Sequence, residues 1–174
     1  MSTKNSLTLT KRYKATLSTI HTVYRLINST YDLRNLLLRL ARLVCQIFES
    51  YHCSIAILDP SRTKITLRCV TKPNAKCAIY RNSRIASRIE KQVIRKSSVM
   101  RSGHILAVPL IADDLVGIIV VRRKKNGKPF DLHDQEILMT IAEQAVIGIR
   151  NLQLYEEQQK IILGSVKSLV TLFD

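Results

Sequence analysis

A run of basic residues at helical spacing is the feature of this sequence best suited to binding a ligand. The spacing of three, four, three and four places Arg81, Arg84, Arg88, Lys91 and Arg95 on one stripe of a helix. A solvated helix face is the simpler interpretation of this basic stripe, and binding of an anion or a protein partner is the alternative. For an anionic ligand, the predicted binding residues are Arg68, Arg84, Ser87, Arg88 and His104.

Residue patterns typical of enzymes are missing from the sequence. His133 and Asp134 form a His-Asp dipeptide, but a metal centre of that kind needs further His and Asp ligands, and the other three histidines are dispersed. Neither the G-x-S-x-G element of serine hydrolases nor a G-x-x-x-x-G-K phosphate loop occurs. We therefore predict no catalytic residue and no metal site, and we assign His133-Asp134 to the start of a helix.

The cysteines and the apolar runs indicate the compartment. Cys45, Cys53, Cys69 and Cys77 form no C-x-x-C pair, and three of them lie in strongly apolar segments, where free cysteine behaves as a small hydrophobic residue. We interpret them as reduced and structural, with a zinc site as the alternative. No apolar run reaches the roughly 18 residues of a membrane span, and the first ten residues lack a secretory signal. A cytoplasmic protein without a membrane span is expected.

The net charge of +15 is concentrated in one part of the chain. Residues 1–112 carry 20 Lys or Arg against 4 Asp or Glu, whereas residues 113–174 carry 8 against 9. Such a basic segment attracts anions, whether phosphates of a ligand, nucleic acid, a membrane surface or an acidic protein. The densest basic run, residues 122–128, lacks the interleaved aromatic side chains that stack on bases, which disfavours specific nucleic-acid binding. A basic scaffold that binds nucleic acid or an acidic protein is kept as an alternative function.

Helical periodicity is strongest at the two ends of the chain. A first helix carries a seam at Tyr13, Leu17, Ile20, Tyr24 and Ile27, and a second helix runs from the N-cap Asp32 to about Phe48. Asp131 caps a last, long helix that no proline interrupts. Its seam comprises Ile141, Ala145, Gly148, Leu152, Tyr155, Ile162, Val166 and Leu169. A seam sustained over more than four heptads predicts a coiled coil, so we expect both seams to form the interface of a parallel homodimer.

Strand patterns occupy the middle of the chain. Residues 52–58 and 64–70 predict one hairpin, and residues 105–111 and 115–121 predict a second. Pro109 favours an edge position or an irregular position in its strand, because proline cannot donate a ladder hydrogen bond. Between the hairpins, Ser83 is expected to cap a helix from Arg84 to about Lys96.

The second hairpin reads ILAVPL at 105–110 and VGIIVV at 116–121, and Phe130 and Asp134 follow at the start of the last helix. These motifs resemble those of the GAF family of small-molecule sensor domains. The cyclic-nucleotide-binding branch is matched at Asn126, Lys128, Phe130 and Asp134, but Gln135 stands where that branch has glutamate. The resemblance implies an α+β fold in which an antiparallel sheet carries helices on one face and a ligand pocket on the other. Only residues 97–104 are available to cover this pocket, so its lid is short.

The end of the chain suggests what the domain serves. Residues 163–174 resemble the first helix of the HD-GYP phosphohydrolases, which implies the front part of a longer bacterial signalling protein. The expected organisation is a dimerisation helix at 1–30, a GAF sensory domain at 31–150 and a signalling helix at 151–174 that leads to an effector domain. The expected function is a non-catalytic sensor acting through two helix arrangements. A nucleotide, another small anion and no ligand at all stay open.

Overall fold

The computed structural model describes residues 2–72 and 77–172, with the side chains of residue 14 and of residues 16–72 and 77–166. Its elements are α1 (Ser2–Asn28), α2 (Leu33–Ile47), β1 (His52–Leu58), β2 (Ile65–Thr71), β3 (Ala78–Ser83), α3 (Arg88–Lys96), β4 (Met100–Ser102), β5 (Ile105–Ile111), β6 (Leu115–Arg122) and α4 (Leu132–Leu172). The strands form one antiparallel sheet in the order β3-β2-β1-β6-β5-β4. The predicted α+β fold class and antiparallel sheet are confirmed.

The sheet separates two apolar cores. Along β1, Cys53, Ile55 and Ile57 belong to the core under α1, α2 and α4, whereas Ala56 and Leu58 belong to the core under α3. This alternation follows from the two-residue period of a strand. The expectation that the helices lie on one face is therefore wrong for α3, which covers the opposite face.

Capping residues explain why the helix ends were predictable. The Asp32 carboxylate accepts hydrogen bonds from the backbone N–H groups of Arg34 at 3.3 Å and Asn35 at 2.9 Å. At the start of α4, the Asp134 N–H donates to Asp131 Oδ1 at 2.9 Å and the Asp131 N–H donates to Asp134 Oδ2 at 3.0 Å. These bonds satisfy N–H groups that have no partner within the helix. The predicted caps Asp32 and Asp131 are confirmed.

The segment between the hairpins differs from the prediction. Residues 78–83 pair with β2 as an edge strand, with Arg81 opposite Leu67, and α3 begins only at Arg88. Ser87, rather than Ser83, is its N-cap and forms a capping box with Glu90. The basic stripe is therefore not one continuous helix face, because Arg81 lies in β3 and Arg84 in the connection. Pairing of residues 78–83 with β2 overrides the local helical pattern, which is why periodicity misplaced this helix.

Pro109 occupies the edge position that its chemistry favours. β4 pairs only with residues 105–107 of β5, from Ser102 opposite Ile105 to Met100 opposite Ala107. Beyond that point β5 has β6 on one side only, with Pro109 opposite Ile118. Position 109 therefore lies where one side of β5 has no partner strand among the described residues, which suits a residue without an N–H.

The predicted seams divide into a buried part and an exposed part. Ile141 and Ala145 are 1% and 0% exposed within a single chain, and a Cβ on Gly148 would lie 2.4 Å from Ile27 Cγ2 of α1. These positions join α4 to the domain's own core and to α1, so they leave no surface for a second chain. From residue 154 to residue 166, by contrast, every side chain of α4 is exposed. Tyr13 and Leu169 are seam residues whose side chains lie outside the described set.

Candidate functional site

The polar network on the α3 face of the sheet is centred on Glu90. This carboxylate is 3% exposed, and its Oε2 accepts hydrogen bonds from Arg68 Nη2 at 3.1 Å and from the Ser87 N–H at 3.3 Å. Arg68, 17% exposed, also donates from Nη2 to the Arg84 carbonyl oxygen at 3.4 Å. Three of the predicted ligand residues therefore meet here, but the Arg68 charge is already neutralised. Sequence reasoning did not select Glu90, although the Ser87-x-x-Glu90 spacing is the pattern of a capping box.

Unpaired polar atoms lie beside this network. His52 Nδ1, Ser54 Oγ and Arg68 Nε are buried and have no hydrogen-bond partner among the described residues. Burial lowers the pKa of His52, and the nearby charges of Arg122, Lys72 and Arg68 lower it further. These surroundings therefore disfavour the protonated form of the imidazole. Buried polar atoms normally have partners, so this row is able to hydrogen-bond water or a small polar molecule.

A strongly basic cavity opens beside the same network, between α3 and the β1–β2 turn. It has a volume of about 390 Å³ and is lined by Arg62, Thr63, Lys64, Arg84, Ile85, Lys91, Ile94 and Arg95. All the charged residues in this lining are basic, and Arg62 is also paired with Asp114. Three residues of the predicted stripe therefore line the basic cavity, namely Arg84, Lys91 and Arg95. Arg88, at the first turn of α3, is exposed and outside the lining.

His104 does not join the other predicted ligand residues. Its Nε2 forms a hydrogen bond of 2.9 Å with the Gly127 carbonyl oxygen, and its own carbonyl oxygen accepts from the Arg123 N–H at 2.9 Å. It immediately precedes β5, which β1 and β6 separate from β2 and Arg68. In this structure His104 fixes the loop that leads into α4.

Arg123 ties three elements together at the start of α4. Its guanidinium donates to Asp134 Oδ2 at 2.9 Å and Oδ1 at 3.1 Å, and its Nε donates to the Phe48 carbonyl oxygen at 2.8 Å. The guanidinium carbon also lies 4.2 Å from the centre of the Phe130 ring. Lys128 pairs with Asp131 instead, at 2.9 Å. Sequence reasoning missed Arg123 because it lies within a run that resembles a solvated basic loop.

A second cavity, of about 570 Å³, lies against this Arg123 junction. The end of α2 and the residues after it provide one wall, with Cys45, Gln46, Glu49, Ser50 and Tyr51, and the opposite wall comprises Arg123, Lys124, Asn126, Gly127, Lys128 and Asp134. We call it the junction cavity. It is lined by charges of both signs and by one thiol, so it combines hydrogen-bonding groups with a nucleophile.

Neither a metal site nor a membrane-spanning helix is found among the described residues. No group of three or more His, Cys, Asp or Glu side chains there is arranged to hold a metal ion. No helix among these residues is sufficiently long and apolar to cross a membrane.

A six-stranded antiparallel sheet with α3 on one face and α1, α2 and α4 on the other defines a GAF-like α+β domain. The chain belongs to the GAF domain family, whose pattern it matches over residues 32–151. GAF domains are regulatory sensor modules of signalling proteins, generally without catalytic activity, and they commonly dimerise within multidomain proteins.

Similar proteins agree on the fold and differ in function. A stretch of 60 residues is 32% identical to the cone cGMP-specific 3',5'-cyclic phosphodiesterase subunit alpha' of Mus musculus, covering 33% of this chain and 7% of that protein. The GAF domain of the Acinetobacter phosphoenolpyruvate-protein phosphotransferase has a TM-score of 0.67 at 18% identity, over 79% of this chain and 94% of that one. A GAF domain/HD domain protein from Geobacter sulfurreducens has a TM-score of 0.54 at 16% identity, over 79% and 98%.

Proposed function

We propose that this chain is a non-catalytic sensory module that forms a parallel homodimer and passes a ligand- or partner-dependent signal along α4 to an effector domain of the same polypeptide. The observation that carries the proposal is the exposed apolar seam on the last part of α4. A cyclic dinucleotide phosphodiesterase of the HD-GYP type is the effector that the resemblance of residues 163–174 suggests. A cytoplasmic location stays a prediction.

The exposed seam has the spacing of a coiled coil. Leu152 is partly buried, and Tyr155, Ile162 and Val166 follow it with more than half of each side chain exposed. With Gln159 these residues recur at three and four positions, as the a and d positions of a heptad do. Covering such a row of exposed aliphatic side chains with a second helix is favourable, because it removes apolar surface from water. A second copy of the same helix supplies a matching row, and a parallel arrangement places both C-termini at one end.

Replacing Ile162 with lysine should weaken the dimer strongly. The substitution introduces a charge at a d position of both helices, and losing two buried aliphatic contacts of about 1.5 kcal/mol each corresponds to roughly a 100-fold higher dissociation constant. Sedimentation equilibrium measures this constant. Ile161→Lys is the matched control, because Ile161 is 69% exposed, against 56% for Ile162, and lies on the outer face of the predicted coiled coil.

The control decides what the result means. Dimerisation that survives Ile162→Lys, or that falls equally in Ile161→Lys, would contradict the seam. A wild-type chain that stays monomeric would favour the alternative of a basic scaffold, which the exposed Lys124 and Lys125 suit. The Arg123 charge is unavailable to such a scaffold, because Asp134 binds it.

A small anion is the ligand that the basic cavity suits best. Phosphate and carboxylate groups form charge-assisted hydrogen bonds with Arg and Lys, and the cavity offers several cations without a lining carboxylate. Arg84 is the predicted ligand residue inside it. The predictions for Arg68, Ser87, Arg88 and His104 stay untested.

Pyrophosphate should therefore bind the wild-type chain, and the double substitution Arg84→Ser/Arg95→Ser should weaken binding by at least about tenfold. Each charge-assisted hydrogen bond contributes about 1.5–3 kcal/mol, so two lost cations account for that change. Isothermal titration calorimetry at low salt measures the affinity. Lys96→Ser removes a neighbouring exposed cation outside the cavity and should have little effect. Equal losses in both variants would show attraction by net charge alone.

The Arg123 junction provides a route from the domain to α4. β6 ends at Arg122, and Arg123 is the next residue. Arg123 binds both the C-terminal end of α2 and the first turn of α4. A ligand that shifts α2 or the sheet would therefore change the position of α4. Such a ligand switches the module only if it binds two helix arrangements with different affinity.

A further inference from the structure

Two thiols meet beneath the junction cavity. Cys45 lies in the last turn of α2, is partly exposed and lines the cavity. Cys53 lies in β1, opposite Thr71 on one side and Val121 on the other, and is completely buried. Cys45 packs against the core cluster that contains Cys53, and each thiol is the largest influence on the pKa of the other, which places the two side chains next to each other. One member of the pair is therefore accessible from the cavity, and the other is held behind it.

The surroundings favour the thiolate at Cys45. The Cys53 thiol is the largest cause that lowers the pKa of Cys45 to about 7, and burial opposes this effect. The Ser50 hydroxyl, which is buried and otherwise without a hydrogen-bond partner, lowers the pKa further. The thiolate is the form that attacks oxidants and electrophiles, so a large fraction of Cys45 is reactive near neutral pH.

The other cysteines differ from Cys45. Burial raises the pKa of Cys69 to about 12, and Cys69 is completely buried. Cys77 is partly exposed, but its sulfur accepts a hydrogen bond from Arg42 Nε at 3.2 Å and its thiol donates to Thr71 Oγ1 at 3.0 Å. No thiol partner for Cys77 is found among the described contacts. Only Cys45 combines access from a cavity with a second thiol in contact.

We infer that Cys45 is a peroxide-reactive thiol and that Cys53 resolves its oxidised form into an intrachain disulfide. The Cys45 thiolate attacks one oxygen of hydrogen peroxide and the O–O bond breaks, giving a sulfenic acid and a hydroxide that takes up a proton to form water. The Cys53 sulfur then attacks the sulfenic sulfur; the S–S bond forms, the S–O bond breaks, and a second water leaves. Two thiols are oxidised and one peroxide is reduced to two waters.

The disulfide would act on the start of α4. A disulfide holds its sulfurs at about 2.05 Å, much closer than two thiols in contact, so the end of α2 must move toward β1. Phe48, three residues after Cys45, carries the carbonyl oxygen that binds Arg123 Nε. Oxidation would therefore disturb the junction between α2 and α4. This consequence rests on the proposed relay, whereas the thiol chemistry does not.

Peptide mapping of the full chain after treatment with hydrogen peroxide tests the chemistry directly. The wild-type chain should lose the mass of two hydrogen atoms and yield a Cys45–Cys53 linked peptide. Cys53→Ser should stop at the sulfenic acid, which dimedone traps at Cys45. Cys45→Ser should form no disulfide at Cys53 and should lose thiols at least about tenfold more slowly, because Cys53 and Cys69 are completely buried and Cys77 is held by Arg42 and Thr71.

Controls separate this result from general oxidation. Cys77→Ser should keep the wild-type linked peptide and rate. Circular dichroism must show that Cys53→Ser is folded, and Cys53→Ala is the substitute if the buried hydroxyl destabilises it. Dimedone on Cys77 before Cys45, a different disulfide, or no faster oxidation of Cys45 than of Cys69 would overturn the inference. Each of these readouts is a mass, so failure of the dimer or of the relay would not affect them.

Discussion

Replacing Gly117 with alanine should destabilise the domain by about 3 kcal/mol or more, because the sheet leaves no space for a side chain at this position. A Cβ on Gly117 would lie 2.3 Å from the Ala56 carbonyl oxygen and 3.2 Å from Leu110 Cδ1. The first atom belongs to the backbone of β1, in the centre of the sheet, and it moves only if the pairing of β1 with β6 is distorted. Thermal denaturation should show a midpoint lower by about 10 °C.

Gly164→Ala is the matched control for this substitution. A Cβ on Gly164 meets no atom within 4 Å, and alanine in a helix is more favourable than glycine by about 1 kcal/mol. The control should therefore be as stable as the wild-type chain or slightly more stable. A Gly117→Ala variant with an unchanged midpoint would show that β1 and β6 are not packed as described.

Replacing Arg123 with methionine should destabilise the domain by about 3 kcal/mol, since it leaves the Asp134 carboxylate without its partner. Arg123 and Asp134 are 14% and 16% exposed, so water screens the charge only in part. The substitution also removes the hydrogen bond to Phe48 and the contact with the Phe130 ring. Chemical denaturation measures the free energy of unfolding. Lys124→Met, at the exposed neighbouring position, should change stability by less than about 0.5 kcal/mol.

A double-mutant cycle separates the ion pair from the rest of the junction. Arg123→Met/Asp134→Leu should be less destabilised than the sum of the single variants, because no unpaired charge is left. Hydrogen exchange should show more opening in the first turns of α4 for Arg123→Met than for Lys124→Met. Additive losses, or an unaltered α4, would contradict the view that Arg123 holds this helix.

Local patterns predicted the elements that local interactions determine. Asp32 and Asp131 mark helix starts because an N-cap residue bonds N–H groups within its own turn. The alternation of apolar and polar residues along 65–71 is likewise visible in the sequence itself. β3 and β4 were not predicted, although each pairs with the strand next to it in the chain, because these short edge strands carry no alternating apolar pattern. The same reason misplaced the start of α3 at Arg84.

The candidate sites depend even more on contacts between distant residues. Glu90 and Arg68 are 22 residues apart, and Arg123 and Phe48 are 75 residues apart. No rule of sequence spacing connects such pairs. The basic stripe was therefore visible in the sequence, whereas the pairing of Arg68 with Glu90 was not. The long seam of α4 was also only partly informative, because burial in the chain's own core and burial against a second copy produce the same apolar period.

Native mass spectrometry of the purified chain tests the central claim most directly, since it reports the number of subunits and any retained small molecule together. At micromolar concentration we expect a species of twice the chain mass of 19.8 kDa, and an additional mass if an anionic ligand is retained. A dimer without added mass would still support a module that dimerises and relays a signal. A species of 19.8 kDa alone would contradict the dimer and, with it, the proposed route through α4.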